Sequence, residues 1–223
     1  MFLHIKSLLN PDEVARLNAI GSEVKFVDGK LTNSTHPTKQ NLQAARDGNA
    51  LYSESVRIVA NGLTRNQQFR DFAQPKRLSA PLLSRYDPGM KYGAHADNAY
   101  LPIPPDIVLR TDLSSTVFIA DPHSYEGGEL VIHLGTQQVK IKGDAGDAIV
   151  YPSTTRHEVL PVTSGSRLVS VIFIESMVKD EFHRTQLYEL NQVALLEGDK
   201  MQWDNRVRLE VALQNLMRMW SAN

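Results

Sequence analysis

Gly127-Gly128-Glu129-Leu130-Val131-Ile132-His133-Leu134-Gly135-Thr136-Gln137-Gln138-Val139-Lys140-Ile141-Lys142-Gly143-Asp144-Ala145-Gly146-Asp147-Ala148-Ile149-Val150-Tyr151 is the stretch on which the fold turns. Three runs of β-forming residues (129–134, 138–141 and 148–151) are cut by Gly-Gly, Gly-Thr and a five-residue Gly/Asp segment. Branched and aromatic side chains suit a pleated strand, whereas Gly and Asp supply the backbone freedom and local hydrogen bonds of turns. Strands this short and this closely spaced predict a sandwich or barrel. A jelly roll is one way to close them.

The same texture extends outward over residues 82–175, with Thr163-Ser164-Gly165 turning into a last long run at 167–175. Before it the chain reads as helical. Asn10 can cap, Pro11 suits the first helical position and Glu13 completes a capping box, with Val14, Leu17 and Ile20 at helical spacing. A polar stretch at 31–43 precedes a second helix expected at about 53–72, ended by Pro75. After Met177 the period returns to helix, at 179–197 and 205–222, with Gly198-Asp199-Lys200 between. The expected plan is mainly β with flanking helices: N-terminal helices, a jelly-roll core and a C-terminal helical hairpin. In domain terms, residues 1–177 form one unit with its β core at about 82–177, and 178–223 form an extension.

Composition narrows the function. The chain has 223 residues, 42% hydrophobic, enough for one large core. Lys+Arg is 24 against 25 Asp+Glu, a net charge of −1. Chains that wrap nucleic acid carry a basic surplus, so nucleic acid is not an expected partner. Cysteine is absent, which excludes disulfide scaffolds, iron–sulfur clusters and cysteine nucleophiles and leaves His and carboxylates to hold any metal. The opening Met1-Phe2-Leu3-His4-Ile5-Lys6 lacks the features of a secretory signal. No apolar stretch approaches the ~20 residues of a membrane span. The chain is expected in the cytoplasm, away from membranes.

His95-Ala96-Asp97 carries the first chemical signal. On a strand, residues two apart point to one face, so imidazole and carboxylate would converge. His157 follows after a turn-rich loop. Two His and one carboxylate make a facial triad, which suits non-haem Fe(II) and leaves open coordination positions. Arg167 opens the last core strand, on a face shared with Val169, Val171 and Phe173. If that face looks into the barrel, the guanidinium needs an anion, because burying an unpaired charge is too costly. A dicarboxylate would supply one, in bidentate geometry.

The motifs in order are Arg85-Tyr86-Asp87-Pro88-Gly89-Met90-Lys91-Tyr92-Gly93-Ala94-His95-Ala96-Asp97-Asn98, Arg110-Thr111-Asp112-Leu113-Ser114, Tyr125-Glu126-Gly127-Gly128-Glu129-Leu130, Gly146-Asp147-Ala148-Ile149-Val150-Tyr151-Pro152-Ser153, and His157 with Arg167 beyond it. This series resembles the prolyl-4-hydroxylase-type branch of the 2-oxoglutarate dioxygenases. It is most similar to the bacterial PKHD-type hydroxylases, which include a group labelled iron-uptake factors, and the similarity runs nearly end to end. The resemblance implies a double-stranded β-helix core and an Fe(II) enzyme. It implies 2-oxoglutarate and O2 as co-substrates, succinate and CO2 as products, and L-ascorbate as reductant. His95, Asp97 and His157 would hold the iron, and Arg167, helped by Tyr86, would take the far carboxylate of 2-oxoglutarate. The primary substrate is left open between a small molecule and a protein side chain.

Four further residues are candidates for the substrate pocket. Tyr92 precedes the His-x-Asp and is otherwise a packing aromatic. Arg110 follows the Pro-rich segment 98–109, expected to be a lid, and either binds substrate or braces that segment. Asn41 and Gln43 share a strand face, turned to the pocket or to solvent. His4, His36, His123, His133 and His183 have no such partners in the sequence and receive no site role. Leu209, Leu213, Leu216, Met217 and Trp220 form an apolar stripe. Either it packs on the chain's own barrel, or part of it, Trp220 especially, packs on a second copy in a homodimer. Two other functions compete: a cupin-like metal enzyme of another class, and a noncatalytic jelly-roll binding module.

Overall fold

The computed structural model describes residues 1–32, 36–46, 48–103 and 106–221. Pro104 and Pro105 of the expected lid, Asn33 to Thr35 of the polar stretch, and Ala222 of the expected last helix lie outside these. In chain order the elements begin β1 (Leu3–Ile5), α1 (Pro11–Glu23), β2 (Phe26–Asp28), β3 (Lys39–Gln40), β4 (Leu42–Ala44), α2 (Ala50–Arg65), α3 (Gln67–Ala73) and β5 (Pro75–Leu78). The central strands are β6 (Leu82–Tyr86), β7 (Lys91–His95), β8 (Tyr100–Ile103), β9 (Ile107–Arg110), β10 (Leu113–Phe118), β11 (Glu126–Gly127) and β12 (Leu130–Leu134). They continue with β13 (Gln137–Ile141), β14 (Ala148–Pro152), β15 (His157–Val159), β16 (Val162–Ser164) and β17 (Arg167–Ser176), before α4 (Glu181–Glu197) and α5 (Trp203–Trp220).

Two antiparallel sheets face each other. The larger runs β1-β14-β10-β17-β6-β4-β2, with β5 also paired to β17; the smaller runs β13-β12-β15-β7-β3. Alternation sorts the side chains of β17. Leu168, Ile172 and Ile174 join the core under the helices, Val169 joins a second core inside the barrel, and Arg167, Val171 and Phe173 line the cavity between the sheets. The expected fold class is the observed one: a jelly-roll core with flanking helices. The sheets also recruit five short strands that precede Leu82, which the helical reading of the N-terminal third did not include.

The helix ends follow from local chemistry. Asn10 Oδ1 accepts from the Glu13 amide and Glu13 accepts from the Asn10 amide, closing the predicted capping box. The single helix expected at 53–72 is two, because Asn66 turns extended and its side chain caps the Phe69 amide. Gly198, at φ 49°, ends α4 as expected. α4 packs on α3 through Tyr188 and Phe72, rings edge to face at 5.3 Å, and buries Arg184, which donates to the Val178 and Lys179 carbonyls. α5 packs on α4, and Trp220 stacks on His183 of the same chain at 4.2 Å.

Candidate metal centre

β7 and β15 bring the two site histidines side by side, His157 opposite His95. The next pair is Val159 with Tyr92, so a β-bulge inserts an extra residue in β7. In a regular strand Tyr92 and His95 would face opposite sides. The bulge returns both to the cavity face, where their rings stack with centroids 3.7 Å apart. Gly93 sits at the irregularity because nothing larger fits: a Cβ there would lie 2.3 Å from Thr38 Oγ1. β7 ends at His95, and Asp97 lies past it rather than on it, because its amide bonds the Ser153 carbonyl of the facing sheet at 3.2 Å.

The ligand atoms of His95, Asp97 and His157 all lie within 4.8 Å of one another. His95 Nδ1 is 2.8 Å from the Gly93 carbonyl and His157 Nδ1 is 2.9 Å from the Thr155 carbonyl. A carbonyl can only accept, so each Nδ1 carries a proton, which leaves each Nε2 as the atom able to present a lone pair to a metal. Those lone pairs face the Asp97 oxygens at 3.8 and 3.7 Å, too long for hydrogen bonds and repulsive without a cation between them. The His95–Asp97 pair is not an ion pair either. Burial, followed by the neighbouring His157, pushes His95 down to about 3, so its ring is neutral. Burial raises Asp97, against His157, a hydrogen bond from Ser114 and the charge of Lys39. Ser114 Oγ donates to Asp97 Oδ2 at 2.5 Å and lies 2.7 Å from Ser153 Oγ, which fixes the carboxylate. This donor set, two imidazole nitrogens and a carboxylate, suits a divalent cation.

The cavity beside it has a volume of about 420 Å3. Arg167, first residue of β17 and paired with Tyr86, lines it with only 1% exposure. Its guanidinium lies 5.1 Å from the Tyr86 ring centroid. Nε has no hydrogen-bond partner, and no Asp or Glu among the described residues pairs with it. Gly128, at φ 68°, makes room, since a Cβ there would come within 3.0 Å of Arg167 Cδ. A buried guanidinium in that state fits an incoming carboxylate. Asn41 lines the cavity with its amide in reach of the Tyr86 hydroxyl, and Gln43 lines it too. Arg110 does not. It makes two hydrogen bonds to Asp112 at 2.7 and 2.8 Å and one to the Ser176 carbonyl, the bracing alternative. The expected lid is a β8–β9 hairpin whose Leu101, Pro102 and Ile103 border the cavity.

Several lining or neighbouring residues escaped the sequence reading, among them His36, Lys39 and Arg46. His36 stands 5.4 Å from the His95 ring and 5.0 Å from Tyr92. Lys39 and Arg46 line the cavity. Lys39 lies on β3 of the smaller sheet and Gln43 on β4 of the larger, with Asn41 between the two strands, so Asn41 and Gln43 reach the cavity without sharing the strand face expected of them.

Comparison with known proteins agrees with this geometry. Residues 81–175 match the family described as the 2OG-Fe(II) oxygenase superfamily. A PKHD-type hydroxylase of Sphingopyxis alaskensis is 46% identical over 213 residues, covering 96% of each chain. PKHD-type hydroxylase YbiX of Escherichia coli is 37% identical over 223 residues, with 99% of each chain covered. A Pseudomonas putida prolyl-4-hydroxylase has the same fold, with TM-score 0.55 at 18% identity over 78% of this chain and 92% of that one. The cupin-like and noncatalytic alternatives are thereby set aside, and the chain belongs to the PKHD-type hydroxylases, Fe(II)- and 2-oxoglutarate-dependent dioxygenases.

Proposed function

We propose that His95, Asp97 and His157 hold the Fe(II), and that Arg167 with the Tyr86 hydroxyl takes the distal carboxylate of 2-oxoglutarate. The observation that carries this reading is two imidazoles and a carboxylate converging within 4.8 Å, beside a buried guanidinium with no carboxylate partner among the described residues. Bound there, Fe(II) couples O2 reduction and decarboxylation of 2-oxoglutarate to succinate and CO2 with insertion of an oxygen atom into a substrate C–H bond.

The chain's own residues do the rest. Three ligands on one face leave the other face open for reactants. Thr155 and Gly93 carbonyls hold the histidine tautomers, Ser114 holds Asp97, and the Tyr92 ring keeps the His95 plane in place. Asn41 orients Tyr86, and Gln43 faces the primary substrate. Leu82, Leu130, Val159, Val171 and Phe173 exclude water around the reacting atoms. The β8–β9 hairpin closes over bound substrate, with Arg110 bracing its base.

The substrates are O2 and a small molecule or protein side chain. The reaction is assigned to the cytoplasm, with L-ascorbate keeping the iron ferrous; no helix among the described residues is long and apolar enough to cross a membrane. Residues 1–177 form the dioxygenase domain and 178–223 an extension outside the chemistry. The expected second copy cannot take the Trp220 face that stacks on His183 of the same chain; it is proposed instead as the cover for the exposed Trp203, Val207 and Val211 of α5. The test of the reaction is release of succinate from 2-oxoglutarate by the purified chain with Fe(II) and O2. No succinate above a metal-chelated control would overturn the reading.

A further inference from the structure

Gln43 lines the cavity at 7% exposure, and its carboxamide makes no hydrogen bond among the described residues. Other polar side chains of the same wall are engaged. Asn41 serves the Tyr86 hydroxyl, Thr116 serves the Tyr151 hydroxyl, and Ser79 Oγ accepts from the Phe173 amide at 3.0 Å. Gln43 pairs with Ser84 across β4 and β6, and directly opposed residues of an antiparallel pair share a face. Ser84 also lines the cavity, at 1% exposure, and its hydroxyl has only a long 3.4 Å bond to the Leu82 carbonyl. A buried carboxamide without a partner is costly. Here a carboxamide and a hydroxyl stand side by side on the cavity wall, both with bonding capacity to spare.

The pair has a definite place beside the reaction. Along β6, Leu82, Ser84 and Tyr86 line the cavity and stand opposite Val171, Val169 and Arg167 of β17. Two residues of strand span about 7 Å, so Ser84 and Gln43 lie one step from the Tyr86–Arg167 anchor. Beyond them the wall turns apolar, with Leu82, Val171 and Phe173 joined by Leu101 and Ile103 of the hairpin. The chemistry of the pair selects its partner. A carboxamide offers N–H donors and a carbonyl acceptor, and a serine hydroxyl can do either. A carboxylate would meet the donors and leave the acceptor facing another anion. An ammonium would do the reverse, and a hydrocarbon would meet neither. A group with N–H and C=O together meets both, whichever way the Gln43 amide is turned.

We infer that the primary substrate carries a neutral amide-type group that docks on Gln43 and Ser84, with an apolar body along Leu82, Val171 and Phe173. Gln43 is then the specificity-determining residue. This rests on the Fe(II)/2-oxoglutarate reading of the site and narrows its substrate. A carboxamide served by water alone is the competing explanation. It predicts no preference for a ligand that brings an N–H.

The test uses the full chain loaded with Ni(II) and saturating 2-oxoglutarate, and four probes built on one ring: benzamide, N-methylbenzamide, acetophenone and benzoate. Ligand-observed NMR titration reads their binding. Benzamide is expected to bind at least about fivefold more tightly than acetophenone, which keeps the shape and the carbonyl but lacks the N–H. Gln43→Met keeps the volume and is expected to remove that advantage. Ser84→Ala, which deletes one oxygen, is expected to narrow it, so the test stands even where Gln43→Met fails to fold. N-methylbenzamide, whose trans amide turns N–H away from C=O, identifies the source. Binding close to that of benzamide assigns the site to peptide-type amides, and weaker binding assigns it to carboxamides and lactams. Equal binding of benzamide and acetophenone overturns the inference, as does benzoate binding more tightly than benzamide. So does an amide preference that survives both variants, or a weaker affinity of Gln43→Met for 2-oxoglutarate, which would give Gln43 to the co-substrate. Failure of 2-oxoglutarate to bind the parent chain strikes the reaction reading beneath; normal 2-oxoglutarate binding without amide preference strikes this inference alone.

Discussion

The barrel interior and the C-terminal hairpin handle surface in opposite ways. The barrel buries polar groups, a guanidinium among them: Arg167 at 1% exposure, Asn41 at 5%, His157 at 5%. The hairpin exposes apolar groups: Leu196 at 83%, Met219 at 74% and Trp203 at 70%, with no buried residue in α5. Each arrangement is unfavourable for the isolated chain. An unpaired buried ion costs several kcal/mol, whereas exposed apolar surface costs only about 25 cal/mol per Å2. The steeper cost lies in the barrel, so the barrel is where ligand binding returns most free energy. The hairpin's cost is shallow and its residues are interchangeable.

The sharpest break of this comparison is loss of the metal ligands. His95→Ala, Asp97→Ala and His157→Ala are each expected to reduce Fe(II)-dependent succinate release to background while circular dichroism stays unchanged. Near-normal turnover in any one would remove that residue from the metal site. Arg167→Ala comes next. Truncating one member of a buried charge pair costs roughly 3–5 kcal/mol, so the dissociation constant for 2-oxoglutarate should rise by about two to four orders of magnitude. A titration curve that overlays the parent's would mean the carboxylate docks elsewhere.

A smaller effect is expected from pH. The His95 ring is held down to about 3 in the folded chain, against about 6.5 when unfolded. Between those values the unfolded chain binds a proton that the folded chain does not. Metal-free protein should therefore lose stability as pH falls from about 6.5 toward 3. His95→Asn should melt with a shallower pH slope, and parallel melting profiles would argue against a buried neutral ring. The smallest effect belongs to the hairpin. Trp203→Glu with Val211→Glu is expected to leave succinate release unchanged and to shift sedimentation from dimer to monomer. A parent chain that sediments as a monomer at high concentration would end the dimer reading.

How much of this was legible in the sequence follows the same divide. The β core was readable because Gly127-Gly128, Gly135 and Gly143 to Asp147 punctuate it, and turn chemistry is local. The clustering of His95, Asp97 and His157 was readable from the ordered motifs of the family resemblance, since a His-x-Asp triplet and a distant His are weak signals alone. The split of the second helix at Asn66 was not, because a capping side chain and a helix-interior side chain are the same residue in a string. Lys39, His36 and Arg46 were missed because their role is set by where short strand β3 pairs, beside Tyr92, and pairing is a long-range fact. Arg110 was undecidable until Asp112 and Ser176 were seen to occupy it.

The β7 bulge makes the centre unusually sensitive to chain length. A substitution at Ala94 alters one side chain. Deleting Ala94 would remove the extra residue that lets Tyr92 and His95 share a face, and with it either the ring stack or the alignment of His95 with His157. An inserted residue does the same in reverse. Across related chains, then, this strand can drift in composition far more freely than in length: the loops at either end can absorb a gain or loss, but the four residues from Tyr92 to His95 form a fixed ruler between the ring and the metal.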